Sequence, residues 1–123
     1  MATYTGDATI VDIINASASR NGSVGTTVAY TCPTGMFAEV QLISASVTTS
    51  GSGGKSASAA IGSFGIVSLT TSSFGDSVSA GFTDYPGPMW INEGQSVQAS
   101  ISDSFGGSPS VSISVIIKEY NKP

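Results

Sequence analysis

Apolar and polar residues alternate with a period of two along most of this chain, and no amphipathic helical stripe of useful length interrupts them. The segment from Gly94 to Asp103 sets Val97, Ala99 and Ile101 on one face and Ser96, Gln98, Ser100 and Ser102 on the other. The segment from Ser110 to Tyr120 does the same with Val111, Ile113, Val115 and Ile117. Shorter strands are predicted over Ala8 to Ile14, Ser23 to Thr31 (with Val24, Val28 and Tyr30), Ala57 to Ile61, Ile66 to Thr71, Asp76 to Thr83 and Met89 to Ile91. In the Asp76 segment Val78, Ala80 and Phe82 share a face. Turns separate the strands: Asn15 to Gly22, Pro33-Thr-Gly35, Gly62 to Gly65, Asp84 to Pro88, and Phe105 to Pro109. About eight strands at this spacing predict an antiparallel β-sandwich, either jelly-roll or Ig-like.

Two places break the alternation. From Ala38 to Thr49, Val40 and Leu42 share one face, whereas Ile43, Ala45 and Val47 share the other. A bulge near Leu42-Ile43 would restore a single buried face by adding one residue; the alternative is a strand buried on both sides at its centre. In the last strand the face opposite the valines changes from Ser112 and Ser114 to Ile116 and Tyr120. That half is apolar on both faces, which implies either a covering loop or a subunit interface.

Length adds that the chain is one domain, read as a flexible arm over 1–7 and a sandwich over 8–123. Ser50 to Ser56 is a Gly/Ser-rich hairpin tip, and the triplet Ser-Phe-Gly recurs at Ser63, Ser73 and Ser104. In each triplet Phe is expected to plug a sandwich end and Gly to supply a positive φ. The stretch Met1 to Asp7 has neither a basic nor a continuous apolar region, so it does not read as a secretory signal, and no apolar run is long enough to span a bilayer. Asn15-Ala-Ser and Asn21-Gly-Ser therefore count as chance matches to a glycosylation signal.

Charge narrows the function. Only 10% of residues are charged, with a net charge of −4. The four basic residues Arg20, Lys55, Lys118 and Lys122 are scattered, which argues against nucleic-acid binding. The absence of histidine removes the commonest general base and metal ligand. Eight carboxylates show no glycosidase-like or calcium-loop spacing. No nucleophile elbow occurs, and Gly51-Ser-Gly-Gly-Lys-Ser56 lacks phosphate-loop spacing. No catalytic residue, metal site or cofactor is expected. Cys32, the single cysteine, reads either as a small buried hydrophobe at a strand end or as a reactive or bridging thiol. Phe82 to Tyr85 with Met89-Trp90 and Glu93 is the one local cluster of aromatics and carboxylates worth weighing as a binding site. Asp84, Tyr85, Trp90 and Glu93 are its candidate ligand- or partner-binding residues; the competing reading puts Phe82 and Trp90 in the core and uses Tyr85 to cap a loop.

Two blocks carry a resemblance. The first is Tyr30-Thr31, Pro33, Gly35, Ala38, Val40 and Leu42; the second is Gly87-Pro88, Ile91, Gly94-Gln95-Ser96-Val97 and Ala99. With the closing Ile116-Ile117-Lys118-Glu119-Tyr120, they resemble small β-sandwich structural proteins of tailed bacteriophage virions, of the capsid decoration (cement) or tail-tip and fibre-associated kind, over residues 23–120. The resemblance implies a non-enzymatic oligomer on the virion, made in the host cytoplasm. The expected protein is a homotrimeric cement protein whose partners are itself and the major capsid protein or other virion proteins, with no nucleic acid or membrane. Ile116 and Tyr120 are its candidate oligomer interface, and Tyr4 anchors its candidate attachment arm. Two alternatives stand beside it: a tail-tip or fibre component that binds a host-surface glycan, and a bacterial carbohydrate-binding or adhesive module.

Overall fold

The computed structural model describes residues 10–49, 55–71, 75–103 and 108–122, and the expected arm with Tyr4, most of the Gly/Ser tip and the turn at 104–107 lie outside them. The described residues form nine strands and no helix: β1 (Ile10–Asn21), β2 (Gly25–Thr31), β3 (Met36–Thr48), β4 (Lys55–Ile61), β5 (Phe64–Thr71), β6 (Ser77–Gly81), β7 (Met89–Asn92), β8 (Ser96–Asp103) and β9 (Ser110–Asn121). One sheet runs β1-β9-β3-β6, with β7 also on β3; the other runs β2-β8-β4-β5. β6 pairs with Ser44 to Thr48 and β7 with Phe37 to Val40, so the two share one lane beside β3.

Read by pairing, the chain is one long hairpin rolled up: β1 with β9, β2 with β8, β3 with β6, and β4 with β5, all antiparallel. That nesting is a jelly roll. In an Ig sandwich the first two strands are neighbours in one sheet, whereas here β1 and β2 belong to opposite sheets.

The core is where alternation placed it. Val111, Ile113, Val115 and Ile117 of β9 are buried, as are Val97, Ala99 and Ile101 of β8. Ala38, Val40, Leu42, Ala45 and Val47 of β3 and Ala57, Ala59 and Ile61 of β4 complete it. The bulge in β3 is present. The register shifts between Leu42 and Ser44, and Ile43 is the extra residue, turned out and 41% exposed. Ala45 and Val47 thereby rejoin the face of Val40 and Leu42.

Four expectations are corrected. Residues 15–21 are strand, not connection: β1 runs to Asn21 and buries Ala18. Alternating Ala and Ser carry the right phase but too little apolar area to show it. In β2 the register shifts between Val28 and Tyr30, so Tyr30 turns inward while Val24 and Val28 stay exposed. β5 begins at Phe64, after a two-residue turn in which Gly62 has φ +60°. The Gly at the first central position is the signature of a type II′ hairpin. Gly62, not Gly65, supplies the positive φ there, and Phe64 stays half-exposed instead of plugging the end. β6 stops at Gly81 because Asp84 closes a turn: its Oδ2 accepts from the Gly81 N–H at 2.8 Å, and its N–H donates to the Gly81 carbonyl at 3.0 Å. That turn swings Phe82 out of phase, and it is exposed.

Candidate interaction surface

The outer face of the sheet containing β9 is laid out by strand register. Because residues directly opposite one another point the same way, each register position defines a row across β7, β3, β9 and β1. The first row is Asn92, Phe37, Tyr120 and Ile10. The second is Trp90, Glu39, Lys118 and Ile13. The third holds Gln41, Ile116 and Asn15. Beyond the β3 bulge, with β6 in place of β7, the rows become Gly81, Ser44, Ser114, Ser17 and then Ser79, Ser46, Ser112, Ser19. One face thus has an aromatic half and a serine half.

In the aromatic half, Phe37, Trp90 and Tyr120 form a closed triangle. Phe37 and Tyr120 lie nearly parallel with centroids 5.2 Å apart; Trp90 sits 5.7 Å from each and is tilted by 41° and 46°. The Tyr120 hydroxyl donates to Glu39 Oε1 at 3.2 Å, which fixes how the ring leans. Three large apolar side chains here face solvent: Trp90 at 55%, Ile13 at 59% and Ile10 at 47% exposure. Glu39, Gln41, Ile116 and Lys118 line a shallow depression of about 240 Å³ beside the rings. The Gln41 side-chain amide donates to the Tyr85 carbonyl at 2.9 Å and ties down the loop after β6.

The structure therefore unites Ile116, Tyr120 and Trp90, which the sequence placed in two separate proposals, and adds Phe37, which it did not single out. It does not add the other three. Asp84 holds its turn. Tyr85 packs against the core and meets the Phe64 ring edge-on at 5.7 Å. Glu93 lies in the turn after β7, pairs with Lys122 at 2.9 Å and accepts from the Gly35 N–H at 3.1 Å. Lys122 and that backbone bond hold the Glu93 carboxyl below its usual range. Phe82 and Trp90 are both exposed, so the reading that made them core is set aside, while Tyr85 does cover the loop end.

Two buried groups lie under this surface. Glu119 points into the core and accepts a hydrogen bond from the Tyr30 hydroxyl at 2.5 Å. Burial first, and that bond second, push the Tyr30 phenol well above its ordinary range. Cys32 is buried, its N–H donates to the Gln95 carbonyl, and burial raises its thiol. A thiol that stays protonated and buried is a poor nucleophile, which favours the packing reading over the reactive one.

Among the described residues no group of three or more His, Cys, Asp or Glu side chains is arranged to hold a metal. Among the described residues no helix is long and apolar enough to cross a membrane. No protein-family model and no curated protein matches the chain. Among solved structures the chain is similar to one described as "Bacillus endospore appendages form a novel family of disulfide-linked pili", at 14% identity and a TM-score of 0.37, over 100% of this chain and 97% of that one, a likeness too loose to bear on function.

Proposed function

We propose that this protein is a non-enzymatic structural subunit of a phage virion, a capsid decoration protein that associates with copies of itself and with the shell. The observation that carries the reading is the aromatic half of the outer face. It sets three exposed apolar side chains and a ring cluster around one acid and one base, Glu39 and Lys118. Exposed apolar area of this kind marks a surface that is covered in the working state. Scarce charge lets copies approach without strong repulsion. The nested jelly-roll sandwich supplies a rigid plate on which such a face keeps its shape.

The glycan-binding tail reading draws on the same rings, and their geometry weighs against it. At 5.2 Å and 9° the Phe37 and Tyr120 faces are turned toward each other. A sugar ring stacks on an open aromatic face, and stacking on each other takes one face from each of these two rings.

The test is copy number by quantitative mass spectrometry of purified particles, alongside sedimentation of the free protein. Hundreds of copies per particle and an oligomer in solution support the reading. A handful of copies points to the tail, and absence from particles overturns it.

A further inference from the structure

We infer that the aromatic half pairs with the same surface of a second copy about a two-fold axis that runs along the strands between β3 and β9. The inference rests on the self-association proposed above and specifies its register. The second row reads apolar, acid, base, apolar: Trp90, Glu39, Lys118, Ile13. Turning a copy over about that axis reverses every row onto itself. Glu39 then faces Lys118 of the other copy, and Lys118 faces its Glu39. Trp90 covers Ile13, Phe37 covers Tyr120, Asn92 covers Ile10, and Gln41 covers Ile116, each in both directions. This is what an isologous interface requires: one patch that is its own complement. No other axis parallel to the strands puts acid on base in that row. An axis through β3 stacks Glu39 on Glu39, and one through β9 stacks Lys118 on Lys118.

The twist of the sheets decides how far the contact extends. Sheets packed face to face cross at roughly 30°, so contact is tight around one centre and opens away from it. The exposed isoleucines and Trp90 put that centre in the first two rows. The serine rows lie toward the opening end, where small hydroxyls and water fill the gap. The pairing predicts an even-numbered assembly, where the expectation from sequence was a trimer.

Charge reversal and mixing test this directly, by sedimentation velocity on the full chain at micromolar concentration with circular dichroism as a folding control. Glu39→Lys leaves two cations in the row, and Lys118→Glu leaves two anions. Each variant alone is expected to weaken self-association at least tenfold, and an equimolar mixture is expected to restore it as a one-to-one hetero-pair. Ile13→Lys, at a position too exposed to unfold the sandwich, is expected to abolish pairing by itself. A wild type that stays monomeric overturns self-association and this inference together. A wild-type oligomer that survives the single reversals or Ile13→Lys, fails to reform on mixing, or has three copies overturns the two-fold register alone.

Discussion

The two halves of one sheet face share strands, lanes and backbone geometry, yet differ in what they ask of their surroundings. In the serine half the outward positions on and beside Ser44 and Ser46 are Ser17, Ser19, Ser79, Ser112 and Ser114, with Gly81 at the edge beside Ser44. Ser46 Oγ lies 3.2 Å from Ser112 Oγ across the strands, and the Ser110 hydroxyl donates to the Asn21 side chain. Such a surface is satisfied by itself and by water. Across the β3 bulge the same lanes carry Phe37, Trp90, Tyr120, Ile10 and Ile13, which water does not satisfy. A sheet does not need aromatic residues on its outer face to fold, as the serine half demonstrates. Their presence in only one half is therefore best explained by contact with something beyond the fold.

The comparison breaks most violently at the core both halves share. Leu42 is completely buried beside the bulge. Leu42→Ala is expected to cost about 2–5 kcal/mol in denaturant unfolding and to destabilise the two halves together. A midpoint unchanged by that substitution would mean that the bulge does not organise the core as described.

Ile116 sits at the boundary of the halves and is already half-buried, so covering the rest of it contributes less than the roughly 1.5–3 kcal/mol of a fully exposed side chain. Ile116→Lys is expected to dissociate the oligomer while circular dichroism stays that of the folded sandwich. Loss of the fold would place Ile116 in the core.

Beneath the aromatic half, Tyr30→Phe removes the donor from buried Glu119, a change expected to cost about 1–3 kcal/mol. It also changes the response to alkali. The phenol titrates higher in the folded state than its unfolded value near 10, so its contribution is complete below about pH 10 and is lost as pH rises beyond it. Wild type is expected to lose stability above that pH with a slope that Tyr30→Phe reduces. Identical slopes in stability measured from pH 9 to 11 would refute the assignment.

The smallest effect belongs to the serine half. Ser114→Ala is expected to change stability by less than about 0.5 kcal/mol and to leave association within about threefold. A large loss would move the contact into that half.

Much of this architecture was readable from the residues. The two-faced apolar run at Val40 to Val47 called for either a bulge or burial on both sides, and the exposure of Ile43 decides for the bulge. The change from Ser112 and Ser114 to Ile116 and Tyr120 announced a surface of mixed character. Phe37 follows a Pro/Gly turn, yet its phase holds the signal: it is a large aromatic out of step with buried Ala38 and Val40. Trp90 is likewise out of step with buried Ile91. Their meeting with Tyr120 depends on pairing between strands far apart in the chain, which alternation alone does not supply. Asp84 and Glu93 stand beside aromatics in sequence and so resemble ligand groups; in space each serves a turn. Glu119 is in phase with buried Val115 and Ile117, but a carboxylate is placed inside only once Tyr30 is known to reach it.

Trp90 is the sole tryptophan and stands in the aromatic half, so its fluorescence reports the central claim without labels. Diluting the protein from tens of micromolar to nanomolar, with sedimentation run in parallel, is expected to shift emission to the red and raise quenching by iodide as the oligomer dissociates. Emission and quenching that stay constant while sedimentation records dissociation would show that copies meet elsewhere, and would contradict the account.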